Sequence, residues 1–286
     1  MAEPPVHERG GGMNGGAAML NEVTLNSDTI DQFDDDPDFV RSLARGMAVL
    51  SALGGESRRK SVSMISSQTG LERAVVRRAL YMLSLFRFAK ADDQGRFCLQ
   101  PRVLSLHHAF LSSSQLALVA QPVLDHLGET LGQSVSLAVL DCGEGCCLVR
   151  SVSSRVISSI VDVGRRFPAY GNPVGYALLT QLLDGELETY MAHLQQHELF
   201  ASQAGSRDRL REIVMQARER NYAYAVDQPE PGWCSLAVPI QRWEGLQVAA
   251  LSVITRNSSM SEADVAERYL PPLSKAALEI RASCLV

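Results

Sequence analysis

Apolar residues recur every three to four positions across residues 39–54, at Leu43, Met47, Leu50 and Leu53, and this spacing predicts a helix with one buried face. Gly54-Gly55 supplies its stop. A second, short helix is predicted over residues 62–68, broken by Gly70 after Thr69, and a third over about residues 71–86. In the third helix Val75, Ala79, Leu80, Leu83 and Phe86 form the inward set. Arg73, Arg77 and Tyr81 lie along another face, with Arg78 beside them. Two helices around a tight glycine-containing turn, the second carrying a row of arginines, make a helix-turn-helix. Asp92-Asp93-Gln94-Gly95 between strand-like residues then predicts a β-hairpin, which turns the unit into a winged helix-turn-helix.

The pattern changes further on. Residues 101–114 continue as a connecting helix with Leu104 and Leu111 available for packing, and Leu116 and Leu118 follow. Beyond them a helix is predicted over residues 116–131, then strands at 135–140, 147–152 and 157–163. Helices at 172–183, 185–193 and 208–219 precede strands at 222–226, 235–240 and 247–255. A last helix starts at Ser261 with acids in its first turn and should bend or restart at Pro271-Pro272. The predicted fold class is α+β: a winged helix-turn-helix at 39–100, a linker helix at 101–114, and an α/β domain on a largely antiparallel sheet at 115–286.

Charge sharpens this division. The 286 residues carry a formal net charge of −5, which by itself argues against a nucleic-acid partner. Residues 1–40 hold one basic residue against nine acids, residues 41–100 eleven against four, and the remainder fifteen against nineteen. The basic segment of +7 therefore coincides with the helix-turn-helix, as a DNA-binding module requires. The major groove admits one helix, and arginine presents a fork of donors to guanine or to phosphate. Within residues 71–86 Glu72 is the only acid, so pairing with local acids does not account for the arginines. The candidate DNA contacts are Gln68, Thr69, Arg73, Arg77, Arg78, Tyr81, Lys90 and Arg96, with Arg73 and Arg77 nearest the bases and the last two on the wing. The glycine-rich, acidic residues 1–38 are expected to be a disordered tail. No apolar run approaches the ~18 residues that span a bilayer, and no secretory signal is visible, so no membrane partner and a cytoplasmic location are expected.

No catalytic chemistry stands out. The sequence has no internal repeat, no glycine-rich phosphate loop, no paired-histidine metal signature and no G-x-S-x-G, so no metal, cofactor or enzymatic activity is expected. Of six cysteines, Cys142, Cys146 and Cys147 cluster at a predicted hairpin turn, in a spacing that matches no common zinc frame. They read as free thiols; a thiol- or metal-responsive regulator built on these three is the alternative.

The runs Phe39–Gly46 (FVRSLARG), Arg73–Leu80 (RAVVRRAL), Pro101–Leu104 (PRVL), Val163–Tyr170 (VGRRFPAY) and Ser235–Ile240 (SLAVPI) resemble IclR-type bacterial transcriptional regulators over about residues 39–284. The R-A-x-x-R-R and F-P-A-Y runs are most similar to the subgroup that controls the β-ketoadipate pathway. The resemblance implies a winged helix-turn-helix joined to a GAF-like effector-binding domain, a homodimer or tetramer, and double-stranded operator DNA as partner. It further implies a small carboxylate effector of aromatic catabolism, such as 4-hydroxybenzoate, protocatechuate or a derived dicarboxylate. Carried over by motif, effector positions are Tyr170, Gly171, Asn172, Val174, Gly175, Asp227, Ser235 and Ser252, with Arg155 and Trp233 as further candidates. Two departures bear on the pocket: Asn172-Pro173-Val174-Gly175-Tyr176 stands where the family commonly has Thr/Ser-Ser/Ala-x-Gly-Arg/Lys, and Asp227-Gln228-Pro229-Glu230 where it often has Asp-Glu-Glu. Ser66 also replaces a more usual alanine between the two DNA-binding helices. A rival reading makes the GAF-like domain an enzyme acting on a small acid.

Overall fold

The computed structural model describes residues 25–55, 57–152, 162–194, 206–228, 231–241, 247–256 and 260–285. They divide into two compact units, with the break between Ser113 and Ser114.

The N-terminal unit contains α1 (Ser27–Asp31), α2 (Arg41–Ala52), α3 (Val62–Thr69), α4 (Arg73–Leu85) and a hairpin of β1 (Ala89–Ala91) and β2 (Phe97–Leu99). Ile30, Ala48, Val49, Leu53, Ile65, Leu71, Val76, Leu80 and Ala89 form its core. Ser61 caps α3 by accepting from the Met64 N–H, and Gly70 ends that helix in the left-handed conformation at φ 69°. Gly70 is also held to its size by packing, since a Cβ there would sit 2.2 Å from Ser27 Oγ.

Two expectations are corrected here. The acidic tail is not disordered through residue 38: Asn26 caps α1, Ile30 enters the core and Phe33 stacks on Phe39 at 5.1 Å between centroids. The few apolar residues of this stretch suffice because Ile30, with Leu25 beside it, docks onto a core that already exists. In α2, Leu43 and Met47 are 61% and 50% exposed, while Ala48, Val49 and Leu53 are buried. The helix carries two apolar stripes, and the one with smaller side chains faces the core.

After β2 a 3-10 turn (Pro101–Val103) leads into α5 (Leu104–Ser113), which has no buried residue. Its Leu104, Leu106 and Phe110 are all exposed.

The C-terminal unit begins with α6 (Gln115–Leu131) and continues through β3 (Ser134–Asp141), β4 (Glu144–Ser151), β5 (Arg166–Pro168), α7 (Pro173–Leu179), α8 (Asp184–Leu194), α9 (Arg207–Arg220), β6 (Ala223–Val226), β7 (Trp233–Ile240), β8 (Ala249–Arg256) and α10 (Glu262–Cys284). The six strands form one antiparallel sheet in the order β5-β4-β3-β8-β7-β6. Cys142 and Gly143, both at positive φ, make the two-residue turn between β3 and β4. The predicted strand at 157–163 falls largely outside the described residues; β5 lies in the Arg166-Phe167-Pro168 run. The last helix does not break at its prolines. Pro271 and Pro272 lie inside α10, whose buried face runs from Val265 through Tyr269 and Leu273 to Ile280. The carbonyls that lose a donor belong to Glu267 and Arg268, which are exposed, so solvent is at hand to satisfy them. Among the described residues no single helix is long and apolar enough to cross a membrane.

Alternation gives the sheet two unlike faces. Register places Ser136, Ser252 and Ala237 side by side, next to Ala138, Ala250 and Pro239. This face of small residues joins the core under α7, α8 and α9, where Ala138, Ala237 and Ala250 meet Tyr170, Val174, Leu178, Tyr190 and Met191. The intervening positions, Val135, Leu137, Val139, Leu251, Val253, Leu236, Val238 and Ile240, turn to the other face, covered by α6 and α10. Bulk is concentrated on one side of the sheet and small or hydroxyl side chains on the other.

Candidate DNA interface and effector site

Arg73, Arg77, Arg78 and Tyr81 are all exposed on α4. Among the described residues, neither a hydrogen bond nor an ion pair engages the three arginines. Gly70 sets the turn between α3 and α4, and the Ser66 hydroxyl secures it by donating to the Leu71 carbonyl at 2.7 Å. A serine is therefore accommodated where the two helices meet.

Thr69 is corrected. It is 2% exposed; its hydroxyl donates to the Ile65 carbonyl at 2.8 Å and accepts from the Leu71 N–H at 3.3 Å. It holds the turn from inside and presents nothing to DNA. Gln68, one residue earlier, is exposed and accepts from Lys60 Nζ at 3.1 Å.

On the wing, Lys90 is exposed, whereas the Arg96 Nε donates to Asp92 Oδ2 at 3.0 Å. The same carboxylate accepts from the backbone N–H groups of Arg96 and Gln94 and from Arg59. These bonds, led by the Arg96 backbone N–H, outweigh partial desolvation and hold the Asp92 carboxyl down at about 2. Arg96 thus organises the wing turn as well as adding charge to it.

The effector candidates gather around the start of α7. Tyr170 and Val174 are buried. Gly171 donates to the Pro168 carbonyl at 3.4 Å. Asn172 caps α7: its Oδ1 accepts from the Gly175 N–H at 2.9 Å and its Nδ2 donates to the Pro168 carbonyl at 3.2 Å. Gly175 lies against the chain at Ala169, where a Cβ would come within 2.1 Å of the carbonyl oxygen and 2.5 Å of Cα. Asn172 and Gly175 therefore have full structural duties. On the sheet, Ser252 and Ser136 share a hydrogen bond of 2.9 Å and both are buried. Ser235 is 1% exposed, and its hydroxyl has no partner among the described residues. The buried Tyr190 hydroxyl has none either. Unsatisfied buried hydroxyls on the small-residue side are costly unless a ligand or water completes them.

Asp227 stands apart from this group. It is exposed, at φ 57°, in the β6–β7 turn; its N–H donates to the Trp233 carbonyl and its Oδ1 accepts from the Gly232 N–H, both at 2.7 Å. Trp233 is half-buried at the edge, with Arg256 over its ring at 5.1 Å. Arg155 lies outside the described residues. Sequence reasoning missed Ser136, Tyr190 and Arg150. Arg150 is the cross-strand partner of Ser136, so the two share a face; its side chain is only 8% exposed and bonds Asp162 at 2.8 Å. Strand alternation was the available signal for Ser136 and Arg150, but it needs the register.

In the cysteine cluster burial disfavours the reactive form of the thiols. Burial pushes the Cys147 thiol up to about 12, and it raises Cys142 and Cys146 as well, although Arg166 opposes the rise in those two. The thiolate is the reactive and metal-binding form, and these sites disfavour it. Among the described residues, no three His, Cys, Asp or Glu side chains are placed to hold a metal ion.

Comparison with known proteins agrees with this architecture. Residues 42–93 match the IclR helix-turn-helix domain, and residues 108–282 match the bacterial transcriptional regulator IclR C-terminal domain. The chain is 34% identical to the Pca regulon regulatory protein of Pseudomonas putida, over 92% of this chain and 91% of that one. It is 28% identical to the p-hydroxybenzoate hydroxylase transcriptional activator of Acinetobacter baylyi, over 85% and 92%. An IclR homolog from Microbacterium hydrocarbonoxydans, solved in complex with 4-hydroxybenzoate, has the same fold, with a TM-score of 0.68 at 24% identity, over 85% of this chain and 98% of that one.

Proposed function

The chain belongs to the IclR family of bacterial transcriptional regulators, and from that premise we propose that it binds operator DNA through α4 and the wing, under the control of an aromatic carboxylate. The observation that carries the DNA contact is the exposed row of Arg73, Arg77 and Arg78 on the second helix of the helix-turn-helix. In this reading Arg73 and Arg77 reach base edges, while Arg78, Lys90 and Arg96 meet phosphates and set the register. The apolar surface of α5, with Leu104, Leu106 and Phe110 exposed, supports a homodimer as the DNA-binding species. Dimers match two-fold operators, and a tetramer is the larger assembly in keeping with it.

The effector reading rests on the polar groups of the small-residue side. Ser235, Tyr190 and the Ser136–Ser252 pair supply hydroxyls for ring substituents, and Arg150 supplies a buried cation for a carboxylate. The relatives support an aromatic acid: one is a p-hydroxybenzoate hydroxylase activator and one neighbour holds 4-hydroxybenzoate. A thermal-shift series over benzoate, 4-hydroxybenzoate, protocatechuate and straight-chain dicarboxylates tests it. A ligand at 100 times its Kd stabilises the native state by about 2.7 kcal/mol, or roughly 5–10 °C for a protein of this size. The expected result is such a shift with a ring-bearing acid, diminished by Ser235→Val. A shift with the dicarboxylates alone, or with none of the series, contradicts the aromatic reading.

A further inference from the structure

The wing and the DNA-binding helices are tied together by one buried lysine. Lys60 is 5% exposed, just ahead of α3. Its main chain pairs with β2, donating to the Phe97 carbonyl at 2.9 Å and accepting from the Phe97 N–H at 2.8 Å. Its Nζ donates to the carbonyl oxygens of Ala52 at 2.8 Å and Gly54 at 2.6 Å, and to Gln68 Oε1 at 3.1 Å. An ammonium has three donors and no acceptor, so these three oxygens saturate it. Two of them lie at the C-terminal end of α2, where the helix dipole is negative and carbonyls lack helical partners, which is how a cation is tolerated there.

The consequence lies in Gln68. Because lysine can only donate, Gln68 must turn its oxygen inward to Lys60, and the orientation of the amide is fixed by chemistry. Gln68 is exposed at the end of α3, five residues before Arg73. Among the described residues its two Nε2 hydrogens have no acceptor, which leaves them for one outside the protein. We infer that Lys60 is a positioning residue for DNA binding: it holds the Gln68 amide with Nε2 outward as a phosphate donor, and it fixes the wing strand against the same helix. This rests on the DNA-binding reading above. Lys60 itself touches no DNA; Gln68 does, as a neutral group that releases no counterion.

A duplex selected by the wild-type protein from a random-sequence pool serves as probe, with binding followed by anisotropy across a salt series. Gln68→Glu keeps the oxygen for Lys60 but removes the outward donor, and should lose about tenfold or more in affinity, as expected for a hydrogen bond to a charged acceptor. Gln68→Ala should lose a similar factor with an unchanged salt slope, whereas loss of an arginine contact lowers the slope by about one. In a double-mutant cycle, Lys60→Met should lower affinity in the wild-type background and much less in Gln68→Ala, because its effect runs through that amide. A merely stabilising Lys60 gives losses that multiply, and that result overturns the proposal. Wild-type affinity in both Gln68→Glu and Gln68→Ala overturns it too, and this outcome tests Gln68 without relying on the fold of the lysine variant. If the wild-type protein selects no duplex at all, the DNA-binding reading fails, and the proposal with it.

Discussion

At the scale of the residue, several positions expected to touch a ligand hold the backbone that frames the site. Gly175 is the clearest. The resemblance marks it as an effector position, and the structure shows why only glycine fits: α7 starts directly on the main chain of Ala169, so an added Cβ meets backbone, which cannot swing aside. Gly175→Ala should cost about 1–3 kcal/mol through overpacking, seen as a melting temperature several degrees lower. An unchanged melting temperature would mean that α7 does not sit on Ala169. Thr69 and Asp227 follow the same logic. A threonine before a helix-turn-helix glycine and an aspartate after a strand read equally well as ligand contacts or as turn formers. Burial decides the first, and the second closes its own turn by accepting from the Gly232 N–H; neither is written in the sequence. Arg73, Arg77, Arg78 and Tyr81 were legible because helical spacing alone places them on one side of α4.

At the scale of the element, the wing turn is organised by a single carboxylate, and its pH response follows. Asp92 titrates at about 2, below the usual carboxylate range, because the Arg96 backbone N–H and the other donors favour its ionised form. A depressed folded-state pKa means that its contribution to the wing is complete above about pH 4, where an unfolded aspartate is ionised, and is lost as pH falls through about 2. In an NMR titration the Gln94 and Arg96 amides should hold their shifts from pH 7 to 4 and move below about 3, and Asp92→Asn should remove that response. A midpoint near 4 would contradict the geometry. The short helices and most strands were legible as elements, since Ser261 announces its cap and Gly70 its turn. Facing was harder. In α2 two apolar stripes compete and only the position of α4 chooses between them, and in α10 the prolines suggest a break that a continuous buried face prevents.

At the scale of the whole molecule, charge and sheet asymmetry carry the function. The formal net charge of −5 conceals a basic segment at residues 41–100, and Arg73, Arg77 and Arg78, which have no ion-pair partner among the described residues, lie on one helix of the N-terminal unit. The C-terminal sheet keeps its bulky residues for α6 and α10 and leaves serines and alanines under α7 to α9. That asymmetry was hidden in the sequence, where both faces alternate through one mostly apolar run and only the register sorts them. On the proposed reading, effector and DNA influence each other by a coupling free energy of roughly 1–3 kcal/mol, the usual range for such linkage. The measurement that tests the central claim most directly is the affinity of the full-length protein for its selected duplex across a salt series, wild type against Arg77→Ala. The account predicts a loss of about 1–3 kcal/mol with the salt slope reduced by about one or less; unchanged affinity and slope would remove α4 from the DNA and contradict it.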